Sequence, residues 1–181
     1  MRNLRIKTFA LLITVVTVLA AASVYAYYGT VPGIVQIYVA DPPNYSPDVQ
    51  HIFLTFYKVE VHRVQGDAWF QIGSNFFPTV DLMAAINSSV LLSSQQIPQG
   101  TYNMVRLTLS YAKVVLVQNG TTINYILSVP PDLFNGLKIP LQGTVSSKAG
   151  VVGGIVIDIT VNDRDLHLSI LTPTMNALVK G

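Results

Sequence analysis

Cysteine is absent from this chain of 181 residues, so it holds no disulfide bond and no cysteine to which a lipid could be attached. Charge is scarce as well. Asp, Glu, Lys and Arg make up 11% of the residues, whereas an ordinary globular domain has roughly 25%. A surface with so few charges is covered by partners, carries sugar, or is kept soluble by Ser, Thr, Asn and Gln.

The first 26 residues have the pattern of a secretory signal peptide. Three basic residues precede an apolar run from Phe9 to Ala22, and Val24-Tyr25-Ala26 fits a small-x-small cleavage site. We therefore expect cleavage after Ala26 and a single domain over residues 27–181. An uncleaved membrane anchor is the alternative, because an apolar run of about 18 residues is at the lower limit for a membrane span.

Removal of the signal changes the charge balance of the chain. The signal holds three of the 11 basic residues and none of the 9 acidic ones, so the mature chain has 8 basic and 9 acidic side chains. The isoelectric point near 8.9 therefore reflects the three basic residues of the signal and not the composition of the mature chain. No basic stripe remains, and nucleic acid is not an expected partner.

A hairpin turn is the clearest local signal. Asn119-Gly120 lies between two runs rich in β-formers, and this pair is preferred in two-residue type I′ turns. The turn fixes a register that places six apolar or aromatic side chains on one face. The facing pairs are Leu116 and Ile123, Val114 and Tyr125, and Ala112 and Leu127.

Similar alternation of apolar and polar residues continues along most of the chain. The other predicted strands cover residues 34–40, 51–64 with a bulge near Tyr57-Lys58, 68–72, 101–110, 137–145, 151–161, 166–170 and 174–180. One short helix is predicted from Asp81 to Asn87. About nine or ten strands separated by turns predict an all-β fold, an antiparallel β-sandwich of the Ig-like or jelly-roll-like kind.

Several short motifs resemble a known family. They are Asp41-x-Pro43, Val59-Glu60-Val61-His62, Trp69, Asp81-Leu82, Ile97-Pro98-x-Gly100-Thr101-Tyr102 with Arg106, Val129-Pro130, Gly136-Leu137-Lys138-Ile139, and Asp158. In this order they resemble a domain of unknown function found in secreted bacterial and archaeal proteins. The resemblance covers Gly33 to Lys180 and implies an extracytoplasmic β-sandwich, but it implies no activity. The chain departs from the many members that follow a lipoprotein signal, because it lacks their cysteine.

Motifs of catalysis and cofactor binding are missing, so we expect neither an enzyme nor a cofactor. The chain has no G-x-S-x-G, no phosphate loop and no H-E-x-x-H. His51 and His62 lie about 35 Å apart at the rise of one strand. His62 and His167 could meet only through strand pairing, so a histidine metal site is not expected.

Acidic residues cluster near the end of the chain. Asp158, Asn162, Asp163 and Asp165 could supply the oxygen ligands of a Ca²⁺ loop. Their spacing differs from an EF-hand loop and lacks its glycine. A polar turn between two strands is therefore the favoured interpretation.

Three sequons offer acceptors for N-glycosylation. Asn44, Asn87 and Asn119 each begin an Asn-x-Ser/Thr triplet, and all three fall in predicted turns or loops. Pro47 follows the first triplet and lowers its efficiency.

The expected function is that of a structural protein at the cell surface, outside the cytoplasm. The first strand is apolar on both faces, so we expect it to be paired at a sheet edge or loosely held, and to assemble with neighbouring copies into a filament or matrix by strand addition. This is similar in outline to TasA-type strand-exchange fibre subunits. The expected assembly residues are Ile34, Val35, Ile37, Tyr38 and Val39.

A surface module that binds carbohydrate or another ligand is the alternative. Trp69, Phe70, Phe76 and Phe77 could form an aromatic platform for it. The favoured position for Trp69, however, is the core of the domain. A monomeric surface domain held in the membrane by an uncleaved signal is a further alternative.

Overall fold

Over residues 2–42, 45–73 and 78–180, which the computed structural model describes, the chain forms ten strands and four helices. The helices are α1 (Arg2–Thr30), α2 (Leu82–Ala85), α3 (Pro131–Asn135) and α4 (Asp163–Leu166). The strands are β1 (Gly33–Ala40), β2 (Val49–Arg63), β3 (Ala68–Gln71), β4 (Thr79–Asp81), β5 (Ser89–Ile97), β6 (Gly100–Gln118), β7 (Thr121–Ile126), β8 (Leu137–Ser147), β9 (Val152–Val161) and β10 (Pro173–Lys180).

The strands form one continuous sheet that curls into a nearly closed barrel. Their order is β3-β2-β6-β8-β10-β9-β1-β5, with β4 added to β2 and β7 added to β6. The two ends of this path meet where the Gly73 N–H donates a hydrogen bond to Gln95 Oε1 at 2.8 Å. The all-β class is thus as predicted. The strands are not all antiparallel, however, because β1 pairs with β9, and β8 with β10, in the parallel direction.

The interior of the barrel is apolar and takes every second side chain of the long strands. On β2, Ile52, Leu54 and Phe56 face inward before a register shift, and Val59 and Val61 face inward after it. The shift is the predicted bulge: one extra residue exchanges the faces of the strand, so both halves of the apolar pattern reach the same core.

The position of β1 corrects the prediction of an edge strand or a loosely held one. β1 pairs with β5 on one side and with β9 on the other. Val35, Ile37 and Val39 are buried in the core, whereas Ile34 and Tyr38 lie on the outer face and are partly covered. An interior strand has hydrogen-bonded neighbours on both sides, and their side chains partly cover the outer face as well.

The hairpin of β6 and β7 has the predicted register. Leu116 pairs with Ile123 and Val114 with Tyr125. Asn119 and Gly120 have φ angles of 51° and 76°, and positive φ at both central residues is the requirement of a type I′ turn.

This turn gives a first testable prediction. Gly120→Val should lower the free energy of unfolding by about 1 kcal/mol or more, since a β-branched residue resists positive φ. A Cβ at Gly120 would meet no atom within 4 Å, so the effect isolates the backbone. Urea denaturation measures it. Thr121→Val, which places the same residue at the next position, is the control. An equal loss of stability in both variants would contradict the assignment of Gly120 to the turn.

The predicted short helix is confirmed as α2. Asp81 caps it, and its side chain accepts a hydrogen bond from the Met83 N–H. Helix α3 is an addition to the prediction, and α4 with the turn that follows it replaces the strand predicted over residues 166–170. Both begin in turn-rich segments, which give no helical periodicity to recognise.

Helix α1 covers the predicted signal segment. Its side chains from Leu12 to Ala26 are exposed. None of the helices in the described part of the chain is both long enough and apolar enough to span a membrane.

Candidate ligand-binding surface

Five of the motif residues lie side by side on the outer face of the barrel. Strand register pairs Glu60 with Arg106, Arg106 with Lys138, and His62 with Trp69. Four strands, β2, β3, β6 and β8, therefore bring these side chains together, and Lys58 of β2 joins them through Glu60. We call Lys58, Glu60, His62, Trp69, Arg106 and Lys138 the Trp69 cluster.

A buried carboxylate holds the cluster in place. Glu60 is only 5% exposed, and it accepts hydrogen bonds from Arg106 Nε at 2.6 Å and from Lys58 Nζ at 2.7 Å. Burial alone would raise the pKa of Glu60, but these two cations outweigh it and hold the pKa below its ordinary value. The carboxylate is therefore ionised and fixes both cations on the outer face.

Trp69 lies among cations on this face. The Arg106 guanidinium carbon is 4.4 Å from the centre of its ring, and Lys138 Nζ is 5.8 Å away. The prediction that Trp69 belongs to the core is wrong. The next residue, Phe70, packs against the core and meets Tyr102 edge to face at 6.1 Å. Period-two alternation puts two adjacent aromatic residues on opposite faces, and the sequence alone favoured the wrong one.

His62 has a hydrogen-bond partner at each of its ring nitrogens. Nδ1 lies 2.9 Å from Asn103 Oδ1, and Nε2 lies 2.7 Å from Asp67 Oδ1. The hydrogen bonds to Asn103 and Asp67 raise the pKa of His62 above its ordinary value. Its ring centre is 4.9 Å from that of Trp69. Protonation thus adds a further positive charge beside the indole.

A glycine leaves the space that Arg106 occupies. Gly136 has a φ of 99°, and a Cβ there would come within 3.1 Å of Arg106 Cδ. Any other residue at this position would be strained by the positive φ, and its Cβ would press on the Arg106 side chain. The Gly136-Leu137-Lys138 motif therefore supplies both the space for one cation and a second cation.

The three histidines lie in separate places. His51 Nδ1 is 2.6 Å from Asp81 Oδ2, and His167 Nε2 is 3.6 Å from Asp48 Oδ2. Within residues 2–42, 45–73 and 78–180, no three His, Cys, Asp or Glu side chains are arranged to hold a metal ion.

The acidic cluster near the end of the chain has the geometry of a polar turn. Asn162 caps α4 by accepting a hydrogen bond from the Arg164 N–H. Asp163 accepts hydrogen bonds from the backbone N–H and the hydroxyl of Ser46, and Asp165 accepts one from the Thr172 hydroxyl. The fourth residue, Asp158, lies on β9, away from these turn contacts.

Asp158 lies beside another motif residue, Asp41. Asp41 is 3% exposed, and its Oδ2 accepts a hydrogen bond from the Tyr45 hydroxyl at 2.7 Å. Burial raises the pKa of Asp41 to about 7, and the nearby Asp158 charge acts in the same direction. Burial also raises the pKa of Asp158.

The remaining predicted residues fall on exposed positions or outside the described part of the chain. Asn119 is exposed at the hairpin tip, and Asn87 is exposed with a φ of 57°. Asn44, Phe76 and Phe77 lie outside the described residues.

These features define an all-β, barrel-like domain with a cationic aromatic surface on one side. The chain belongs to the family described as a domain of unknown function, DUF4382, whose model matches residues 32–170. The predicted membership of a family of unknown function is thereby confirmed. A search of curated proteins and a search of solved structures each found no match.

Proposed function

We propose that the chain is an exported, non-enzymatic domain of the cell surface that binds an acidic polysaccharide on the Trp69 cluster. The observation that carries this proposal is the placement of Arg106 and Lys138 around Trp69 on the outer face. The cluster joins positive charge to an aromatic side chain. That combination suits a carboxylated sugar, since the cations attract the carboxylate and the indole contacts the C–H groups of the ring.

The charge balance of the cluster supports an anionic ligand. Lys58 and Arg106 share one carboxylate, Glu60. Lys138 lies on the exposed side of the sheet, over the indole. The cluster therefore keeps positive charge after its internal ion pairs are counted, although the mature chain as a whole has one more acidic than basic residue.

Binding to polygalacturonate tests the proposal, with the fully methyl-esterified polymer as the uncharged probe. We expect the purified protein to bind the charged polymer, and Lys138→Gln to weaken binding roughly tenfold, about 1.4 kcal/mol. Lys113→Gln is the matched control, because Lys113 also lies over an aromatic ring, that of Phe53, away from the cluster. Equal binding of both polymers, or an equal loss in both variants, would refute the proposal.

Export rests on the N-terminal segment, and we propose that residues 1–26 are its signal. The exposed side chains of α1 from Leu12 to Ala26 support a role outside the folded domain. N-terminal sequencing of the protein isolated from its own cells should begin at Tyr27. A protein that retains Met1 would contradict cleavage and favour the membrane-anchored alternative.

Self-association, as in a filament or matrix subunit, is the second candidate. An apolar row crosses the outer face of β5, β1, β9 and β10, where Leu91 and Leu178 are 49% and 38% exposed. Tyr38 and Val156 connect them through the strand register. Donation of β1 to another copy would require the exchange of an interior strand, so contact through this outer face is the form of assembly that the geometry favours.

Glycosylation belongs to the same proposal. Asn87 and Asn119 are exposed in turns and accessible to an attached sugar. Mass spectrometry of the protein from its own cells would measure occupancy at both positions.

A further inference from the structure

His62 is the residue of the Trp69 cluster whose charge changes near neutral pH. Its side chain is 7% exposed, and its ring centre is 4.9 Å from that of Trp69. An imidazole ordinarily titrates at about pH 6.5, whereas lysine and arginine side chains are positive throughout the neutral range. Glu60 is ionised there as well, because its pKa is below the ordinary value. The net charge around Trp69 therefore follows the protonation of His62.

Two hydrogen bonds allow His62 to gain or lose a proton without losing a partner. Asp67 Oδ1 lies 2.7 Å from Nε2, and a carboxylate oxygen only accepts, so Nε2 carries a hydrogen. Asn103 lies 2.9 Å from Nδ1. An asparagine amide can accept from a protonated Nδ1 through its oxygen or, when turned over, donate to a neutral Nδ1. Nδ1 is therefore the nitrogen at which the proton is exchanged.

The charged groups around His62 come from three strands and one turn. They are Glu60 on β2, Asp67 in the turn between β2 and β3, Arg106 on β6 and Lys138 on β8. The strand β3 contributes the uncharged Trp69. The hydrogen bonds to Asn103 and Asp67 raise the pKa of His62 above its ordinary value of 6.5, while burial and the Lys138 charge act in the opposite direction.

We propose that His62 makes anion binding at the Trp69 cluster depend on pH, so that this surface holds its acidic ligand more tightly as the pH falls through the neutral range. The inference rests on the anionic ligand proposed above. Protonated His62 compensates the charge of Asp67, with which it is paired at 2.7 Å. Loss of the proton leaves the Asp67 carboxylate uncompensated beside the site and lowers the local charge by one.

The sign of the effect follows from the ligand's own chemistry. Carboxylates titrate at about pH 4, so a carboxylated sugar stays ionised while the imidazole changes its charge. The attraction between the ligand and the surface therefore increases as the pH is lowered. By linkage, a bound anion raises the pKa of His62 in turn.

The emission of Trp69 measures the charge of His62 without any ligand. A protonated imidazole in contact with an indole quenches its fluorescence, and Trp69 is the only tryptophan in the chain. We expect the emission to fall as the pH is lowered, with a midpoint above 6.5. Quenching by iodide, relative to quenching by neutral acrylamide, should increase about 1.5-fold at low salt, because a positive charge attracts the anion.

Two variants and one matched control assign this response. His62→Gln should abolish it. Asp67→Asn should move the midpoint to lower pH and keep the fold, since asparagine tolerates the φ of 48° at this exposed position. His51→Gln should behave as the wild type, because His51 also pairs with an aspartate on β2 but stacks on Phe53. If His62→Gln fails to fold, the shift in Asp67→Asn decides.

Binding of polygalacturonate tests the consequence for the ligand. Its affinity should rise about fivefold as the pH is lowered through the midpoint in the wild type and in His51→Gln, and should stay constant in His62→Gln. The proposal is overturned if the iodide quenching of the wild type is independent of pH, if His62→Gln responds as the wild type does, or if the polymer binds equally well at every pH. A wild type that shows the iodide response but binds no polymer would refute the polysaccharide function and uphold the switch at His62.

Discussion

Val35→Glu should unfold the domain, whereas Ile34→Glu, one residue earlier, should leave it folded. Val35 has no exposed surface and lies in the core, while Ile34 faces outward on the same strand. A carboxylate buried without a partner costs several kcal/mol, a large part of a total stability of about 5–15 kcal/mol. Circular dichroism and urea denaturation measure the difference between the two variants.

The same pair of variants tests the self-association proposal. If the outer face of β1 joins copies of the chain, Ile34→Glu should give a folded monomer under conditions in which the wild type forms a larger species. Sedimentation velocity distinguishes the two. A wild type that stays monomeric at high concentration, or an Ile34→Glu variant that still assembles, would remove the support for this candidate.

Loss of Arg106 should have the second large effect. Arg106→Leu removes one of the two cations that compensate the buried Glu60 carboxylate. Removal of one partner from a buried ion pair typically costs about 3–5 kcal/mol. Lys58 still contacts Glu60, and Arg106 is partly exposed, so we expect about 2–3 kcal/mol, again by urea denaturation.

Two further variants separate charge from packing at this position. Arg106→Leu combined with Glu60→Gln should recover part of the loss, since the amide leaves no unpaired charge. Lys138→Gln, on the same face but without an ion pair in the described part of the chain, should change stability by less than about 0.5 kcal/mol. No recovery in the double variant would show that the loss comes from packing against Trp69.

The pH dependence at Glu60 follows from the same contacts. Its pKa in the folded protein is below the ordinary value of 4.5, so the folded state binds its proton less readily than the unfolded chain does. The stabilisation from Glu60 is therefore present above pH 4.5 and is lost as the pH falls through the folded pKa. Glu60→Gln should reduce this part of the acid sensitivity.

Local signals in the sequence were sufficient for local structure. Asn119-Gly120 determined the turn, and the turn determined the register of Val114 with Tyr125, because a two-residue loop admits one alignment. The bulge in β2 was visible as a change of apolar face near Tyr57. In both cases the information lies within a few residues of the feature.

Pairing between distant strands was not predictable in the same way. The sequence named Glu60, Trp69, Arg106 and Lys138 as motif residues, but nothing in it shows that β8 lies beside β6. The apolar character of β1 suggested an uncovered edge, whereas an interior position satisfies the same pattern. The face of Trp69 was ambiguous for a similar reason, because Phe70 fits the core as well as Trp69 does.

Fluorescence of Trp69 tests the central claim most directly. Trp69 is the only tryptophan in the chain, so its emission reports on the cluster alone. On titration with polygalacturonate we expect a saturable change in emission that added salt reverses and that the methyl-esterified polymer does not produce. Unchanged emission at saturating polymer, or the same change with the uncharged polymer, would contradict an acidic ligand on this surface.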